Sequence, residues 1–192
     1  MNFLAILFIS SLVVFAGKQK NVTPLTAEVE TLHGNRVTLD SVMRANKATV
    51  LLFLSESCPI CQRYSIRLRA LMEEFTKQHI AFVGIFPDTS TQAKDVQAYK
   101  QKYSIPCEMF IDRVQMCSES VKATVTPQAV VVLPDGTTAY SGRIDNLFEK
   151  IGVMRSVVTK TELRNALLQI LSGKPVGYKK SKPVGCFIER VR

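Results

Sequence analysis

The sequence predicts an α/β fold: a central mixed β-sheet with helices on both faces and an N-terminal β-hairpin extension. An unbroken apolar run at residues 48–54 is typical of a central strand that is covered on both faces. An amphipathic helix follows at 59–78, and a second apolar strand comes next at 80–86. Residues 129–133 and 138–141 then form a hairpin around a Pro-Asp-Gly turn, so antiparallel strands join the parallel ones.

Local signals predict the remaining elements. The pattern of residues 25–39 predicts two short strands around a Gly-containing turn, with a short helix beginning near Asp40. Residues 91–103 predict a helix with a polar face, and residues 161–171 predict a last helix that a glycine ends. No helix or strand is predicted for two stretches, a cysteine-bearing connection at 105–125 and the segment 143–159.

Length and charge limit the domain organisation and the partners. The chain has 192 residues, enough for one domain, which we place at 18–173, followed by a basic tail at 174–192 that contains Cys186. Hydrophobic residues make up 46% and charged residues 21% of the chain, which argues against general disorder. The net charge of +9 comes from scattered Lys and Arg without interleaved aromatic residues. We therefore interpret it as a soluble basic surface and expect no nucleic-acid partner.

The N-terminus, residues 1–17, has the pattern of a signal peptide. Residues 3–16 are apolar and uncharged, but they are fewer than the ~20 residues that a spanning helix needs. Small residues precede a candidate cleavage site between Ala16 and Gly17. We expect export to the periplasm or the extracellular space. The alternatives are an uncleaved anchor that holds the protein at the membrane and a buried N-terminal helix.

The motif Cys58-Pro59-Ile60-Cys61 begins the predicted helix at 59–78. Pro59 suits a first helical turn, so Cys58 lies at the helix N-terminus, where free N–H groups and the helix dipole lower the pKa of a thiol. We assign Cys58 as the attacking thiol and Cys61 as the resolving thiol of an exchange through a mixed disulfide. Half of a zinc site is the alternative, but the sequence has no second Cys-x-x-Cys, and we expect neither metal nor cofactor. The apolar positions at near-helical spacing after the motif are Ile66, Leu68, Leu71, Met72 and Phe75.

Residues 50–61 resemble the strand, loop and active site of the thioredoxin-like superfamily, and Thr126-Pro127 with the Val-rich strand after it resembles the segment that faces that active site. The N-terminal hairpin extends the similarity, over residues 25–172, to the exported redoxin group of TlpA/ResA-like and AhpC/TSA-like proteins. The resemblance implies a cis peptide bond before Pro127 and a backbone at Thr126 that pairs with a bound substrate. It implies protein or peptide thiols and disulfides as substrates, and a redox partner protein.

We therefore predict a thiol-disulfide oxidoreductase outside the cytoplasm. A thiol-dependent peroxidase of the AhpC/TSA type is the first alternative. Against it, Leu51 stands where peroxiredoxins carry a proline, although Ser55 keeps the hydroxyl position. Thr126-Pro127 also stands where that branch usually has its catalytic arginine.

The sequence departs from ordinary thioredoxins as well. Leu52 stands where they carry a buried acidic residue, which can accept a proton from the resolving thiol. Glu56 or water would then have to serve Cys61, although a solvated loop position is the simpler interpretation of Glu56.

Three cysteines lie outside the motif. We predict a structural disulfide between Cys107 and Cys117, since disulfides persist in exported proteins; a second redox pair and separate buried thiols are the alternatives. Cys186 is the odd cysteine, and three uses stay open: a packed free thiol, a third redox cysteine or mixed-disulfide partner, or a metal or haem ligand. With Cys58 and Cys61 it could instead hold copper, which makes a carrier of thiophilic metal ions the second alternative function.

Overall fold

The computed structural model describes residues 23–191, so the predicted signal peptide at 1–17 lies outside the described residues. Within the described part, none of the helices combines the length and the apolar character that crossing a membrane requires. The helices are α1 (Asp40–Ala45), α2 (Pro59–Phe75), α3 (Ala93–Tyr103), α4 (Met116–Ser120) and α5 (Glu162–Leu171). The strands are β1 (Glu28–Thr31), β2 (Arg36–Thr38), β3 (Ala48–Phe53), β4 (Ile80–Phe86), β5 (Glu108–Ile111), β6 (Val125–Thr126), β7 (Gln128–Val132), β8 (Thr138–Gly142), β9 (Phe148–Lys150), β10 (Val153–Met154) and β11 (Cys186–Phe187).

The centre of the molecule is a seven-stranded mixed sheet with the order β2-β1-β5-β4-β3-β7-β8. The strands β3, β4 and β5 run parallel, while β7 and β8 on one side and β1 and β2 on the other add antiparallel pairs. The N-terminal hairpin is the pair β1–β2. The mixed sheet and the hairpin predicted from the sequence are both confirmed.

Strand β3 divides the core into two apolar clusters because successive side chains of a strand point to opposite faces. All six of its residues are buried. Val50 and Leu52 lie in one cluster with residues of α2, α3 and α5. Leu51 and Phe53 lie in the other cluster with residues of α1 and α4. Helices therefore cover both faces of the sheet, and a continuous apolar run was the correct signal for a strand in this position.

The prediction that Ile66 belongs to the apolar face of α2 is wrong. Leu68, Met72 and Phe75 are buried, but Ile66 is 68% exposed. A helix turns by about 100° per residue, so Ile66 lies roughly 200° around the helix from Leu68 and points away from the sheet.

The structure also contradicts the predicted disulfide between Cys107 and Cys117. Both cysteines are free and buried. Cys107 precedes β5 and belongs to the cluster under α2, whereas Cys117 lies in α4 and belongs to the cluster on the opposite face. The sheet separates the two thiols, which fits the alternative of separate buried thiols.

The two stretches for which the sequence predicted no helix or strand, 105–125 and 143–159, contain short elements. Strand β5 and helix α4 lie within 105–125, and the small hairpin β9–β10 lies within 143–159. Each has five residues or fewer, too short to show a helical or strand periodicity.

The basic tail packs on the domain along β8. The backbone N–H of Ser181 donates to the carbonyl of Ser141 at 3.1 Å, and the hydroxyl of Ser181 accepts a hydrogen bond from the N–H of Arg143 at 2.9 Å. A Cβ atom at Gly142 would lie 2.7 Å from the backbone oxygen and 2.8 Å from the backbone nitrogen of Ser181, so this close approach requires glycine. The tail thus follows a defined path before it reaches β11.

Two substitutions on α2 test which face of the helix is buried. We expect Leu68→Ala, at a wholly buried position, to lower the free energy of unfolding by ~2–5 kcal/mol, because it removes buried methyl groups and leaves a cavity. Ile66→Ala should change it by about 0.5 kcal/mol or less, because the side chain is largely in solvent. Urea unfolding of both variants measures the difference, and equal losses would contradict the orientation of α2.

Candidate active site

The register between β3 and β7 brings the predicted site residues together. Phe53, the last residue of β3, pairs with Gln128, the first residue of β7. The loop that leads from β3 to Cys58 therefore starts beside Thr126-Pro127. The peptide bond between Thr126 and Pro127 is cis, as the resemblance implied, and the Sγ atom of Cys58 lies 3.3 Å from the carbonyl oxygen of Thr126.

Cys58 is the N-cap residue of α2. Its backbone is extended, with φ −79° and ψ 115°, and the helix begins at Pro59. The pKa of the Cys58 thiol is lowered from 9.0 to about 5, first because the Cys61 thiol hydrogen-bonds the thiolate and then because the Cys186 thiol does the same; burial opposes both. Cys58 is only 2% exposed.

Cys61 lies one turn further into α2 and is wholly buried. Burial raises the pKa of its thiol well above the usual range, and the hydrogen bond to Cys58 raises it further. The backbone of Ser55 and the side chain of Thr126 act in the opposite direction and lower the pKa in part. The two cysteines of the motif thus differ in the direction that the predicted roles require: Cys58 as the thiolate and Cys61 as the protonated thiol.

Cys186 is the third thiol at this site. The sequence did not predict that it contacts Cys58. Its Sγ atom lies 2.8 Å from the Sγ atom of Cys58. Partial burial and the hydrogen bond to Cys58 raise the pKa of the Cys186 thiol to about 11. Cys186 belongs to β11, a strand of two residues whose partner β6 is more than fifty positions away in the sequence, and so short a strand has no signal of its own.

Glu56, one of the two proton acceptors suggested for Cys61, has a different partner in the structure. The carboxylate of Glu56 accepts a hydrogen bond from the hydroxyl of Thr91 at 3.3 Å and is not among the groups that shift the pKa of Cys61. Leu52 is wholly buried in β3, in the same apolar cluster as Cys61.

A cleft of about 190 Å³ is lined by Cys186 and by Thr126, whose carbonyl oxygen contacts the Cys58 sulfur. The loops after β3 and β4 form one side of it, and β11 with the residues after it forms the other. Its lining also includes Ser55 and Ser57, from the loop that leads to Cys58.

The copper-carrier alternative would need a cluster of metal-ligating side chains. Residues 23–191 contain no group of three or more His, Cys, Asp or Glu side chains arranged to hold a metal ion.

The sequence profile of the AhpC/TSA family matches residues 21–141, more than half of the chain. The chain belongs to the AhpC/TSA family. The predicted membership of a thioredoxin-like redoxin group is thereby confirmed. No curated protein matches the chain.

Solved structures similar to this AhpC/TSA-family chain share its fold. A hypothetical protein of Sinorhizobium meliloti 1021 is 22% identical, with a TM-score of 0.74 and coverage of 91% of this chain and 97% of that one. An uncharacterized conserved protein of Geobacillus kaustophilus is 23% identical, with a TM-score of 0.73 and coverage of 86% and 88%. A secreted disulfide oxidoreductase of Mycobacterium tuberculosis, described as homologous to E. coli DsbE, is 23% identical, with a TM-score of 0.51 and coverage of 60% and 81%. The predicted thioredoxin-like fold is confirmed.

The lowered pKa predicts how Cys58 titrates in the reduced protein. We expect thiolate absorbance to rise with a midpoint near pH 5 and to be lost in Cys58→Ala. Cys61→Ala should move the midpoint upward more than Cys186→Ala does, because the hydrogen bond from Cys61 makes the larger contribution. Cys107→Ala is the control that should leave the midpoint unchanged. A midpoint near 9.0 in the unaltered protein would contradict the geometry.

The same shift links folding stability to pH. The pKa is lower in the folded chain than in the unfolded one, so ionisation of Cys58 stabilises the folded state fully above pH 9.0. This contribution should be lost as the pH falls from 9.0 to about 5. Urea unfolding of the reduced protein at several pH values measures the loss, with Cys58→Ala as the reference that lacks it.

Proposed function

We propose that this protein is a thiol-disulfide oxidoreductase that exchanges disulfides with protein or peptide thiols through Cys58 and Cys61. The observation that carries the proposal is the position of Cys58 at the start of α2, with a lowered pKa and a hydrogen bond from the buried thiol of Cys61. A thiol that is ionised at neutral pH is the nucleophile that disulfide exchange needs.

The exchange has two steps. The Cys58 thiolate attacks one sulfur of a substrate disulfide, so that a mixed disulfide forms and one substrate thiolate leaves. Cys61 then attacks the Sγ atom of Cys58, the mixed disulfide breaks, and the second substrate thiolate leaves with the proton from Cys61. The reverse sequence reduces the Cys58–Cys61 disulfide and oxidises two substrate thiols, and the reduction potential decides the direction.

The substrate-binding edge in this proposal is the backbone at Thr126 beside Pro127. The carbonyl oxygen of Thr126 is 3.3 Å from the Cys58 sulfur. An extended substrate segment that pairs with this backbone would hold its own cysteine next to Cys58, as in other cases of strand addition to a sheet edge.

We further propose that the domain at 18–173 acts outside the cytoplasm, after export directed by residues 1–17. The apolar and uncharged stretch at 3–16 supports this location. A similar structure described as that of a secreted disulfide oxidoreductase gives additional support.

A peroxidase is the second candidate, because the chain belongs to the AhpC/TSA family. A hydroperoxide would have to be attacked by the Cys58 thiolate. The groups that lower the pKa of Cys58 are the thiols and backbone of Cys61 and Cys186 rather than an arginine, and Thr126-Pro127 occupies the position where the arginine is expected. These observations favour exchange with disulfides.

Trapping distinguishes the two candidates. In the double variant Cys61→Ser/Cys186→Ser neither of the thiols next to Cys58 can release a mixed disulfide, so we expect adducts between Cys58 and proteins that carry exchangeable disulfides, seen by non-reducing electrophoresis and mass spectrometry. Cys58→Ser should form none, and Cys107→Ser is the matched control that should behave like the unaltered chain.

Two results would reject the oxidoreductase: no adduct on Cys58 under any oxidising condition, and a Cys58–Cys61 pair that does not cycle between dithiol and disulfide. Rapid hydroperoxide turnover that requires Cys58 would instead establish the peroxidase.

A further inference from the structure

The C-terminal segment crosses the active site as an added strand. Strand β11 pairs antiparallel with β6, so that Cys186 lies opposite Thr126 and Phe187 lies opposite Val125. The N–H of Ile188 continues the pairing by donating to the carbonyl oxygen of Thr124 at 3.0 Å. The segment therefore occupies the backbone edge that the proposed function assigns to a substrate.

The two sulfur atoms are placed for a covalent bond. The Sγ atoms of Cys58 and Cys186 are 2.8 Å apart, compared with about 2.05 Å in a disulfide. We propose that Cys186 is a third redox thiol, which forms a disulfide with Cys58, and that residues 185–188 are an internal substrate segment. This inference rests on the proposed function, because it requires Cys58 to be the nucleophile.

Buried contacts hold the segment after β11 in this position. Gln115 has no exposed surface, and its side-chain amide donates to the carbonyl oxygens of Glu189 at 2.6 Å and Pro87 at 3.0 Å. The oxygen of the same amide accepts a hydrogen bond from the N–H of Val191 at 3.1 Å. Ile188 is 9% exposed and packs into the apolar cluster that contains Phe53. With the Ser181 contacts before it, the segment is anchored on both sides of Cys186.

Gly185 makes the close approach sterically possible. A Cβ atom on this residue would lie 2.1 Å from the carbonyl oxygen of Thr126 and 2.6 Å from its carbonyl carbon. Both are backbone atoms, which cannot turn aside as a flexible side chain can. Glycine is thus the residue that lets the segment come close enough for Cys186 to reach Cys58.

The Cys58–Cys186 disulfide forms by two exchange steps with a low-molecular-weight disulfide. The Cys58 thiolate attacks one sulfur of that disulfide, its S–S bond breaks, and one thiolate leaves. Cys186 then attacks the Sγ atom of Cys58 and gives its proton to the second departing thiolate. Two protein thiols are oxidised and one external disulfide is reduced to two thiols.

Cys61 can then replace Cys186 without a further oxidant. Its sulfur attacks the Sγ atom of Cys58, the bond to Cys186 breaks, and the proton of Cys61 passes to the departing Cys186 thiolate. Cys58 hydrogen-bonds both thiols in the reduced protein, so the exchange needs only short movements of the sulfur atoms. After Cys186 is released, only hydrogen bonds and packing hold the segment in place. A protein substrate has to displace the segment to reach Cys58.

Disulfide mapping after treatment with oxidised glutathione tests the third thiol. In Cys61→Ser we expect the intramolecular Cys58–Cys186 disulfide as the main product, and in Cys186→Ser we expect Cys58–Cys61. In the double variant Cys61→Ser/Cys186→Ser, a glutathione adduct should persist on Cys58.

The double variant also separates the failure of this inference from the failure of the proposed function. If Cys61→Ser keeps a stable glutathione adduct on Cys58 beside a free Cys186, the third thiol is refuted while Cys58 is still the nucleophile. If Cys58 in the double variant never acquires glutathione, the proposed function fails as well.

A matched pair of glycine substitutions tests the docked segment, in the Cys61→Ser background. Gly185→Ala should slow formation of the Cys58–Cys186 disulfide by about tenfold or more, because the added methyl group collides with the backbone of Thr126. Gly177→Ala, in the same tail, meets only the Gln169 side chain at an ordinary 3.7 Å and should leave the rate unchanged. Equal rates in the two variants would overturn the proposed role of the segment.

Discussion

The hydrogen-bonded register of β3 against β7 is the constraint on which the active site depends. The two strands are antiparallel, so the end of one lies beside the start of the other, and the pair Phe53–Gln128 fixes that junction. A shift by one residue would turn every side chain of β3 to the opposite face and would also move Thr126 away from Cys58. All six residues of β3 are buried and its apolar side chains pack in the two apolar clusters, so such a shift would also disrupt the packing on both faces of the sheet.

The electrostatic character of the site follows from the same packing. The position occupied by a carboxylate in ordinary thioredoxins is Leu52, deep in β3, and it supplies neither a charge nor a proton acceptor. The groups that contact the reactive sulfur are the thiols and backbone of Cys61 and Cys186 and the carbonyl oxygen of Thr126. Protons in the proposed exchange pass between thiols, from the one that attacks to the one that leaves, and no carboxylate is required.

Much of this arrangement could be predicted from the sequence, because long elements carry strong periodic signals. The strand before Cys58, the helix after it and the strand after Pro127 were predicted on that basis, and each has the predicted type. The misplacement of Ile66 shows that near-helical spacing by itself does not define which residues share a face.

Contacts between distant segments could not be predicted in the same way. Cys107 and Cys117 are ten positions apart, a spacing compatible with a disulfide. In the fold, however, they lie on opposite faces of the sheet. The contact between Cys186 and Cys58 depends on the two-residue strand β11 and on Gly185, where a larger residue would collide with the backbone of Thr126. It also depends on hydrogen bonds of Gln115 and Ser181, which hold the segment on both sides. None of these features has a local pattern, so the sequence by itself does not place Cys186 beside Cys58.

The attachment of β11 to the domain has a consequence for competition at the active site. A separate inhibitory peptide would dissociate on dilution, whereas a covalently tethered one keeps the same local concentration at any protein concentration. A substrate segment therefore competes with a tethered segment whose local concentration does not change. The outcome depends on the abundance of that segment, its fit to the backbone of Val125 and Thr126 and the reactivity of its sulfur, and it is independent of how much of the protein is present.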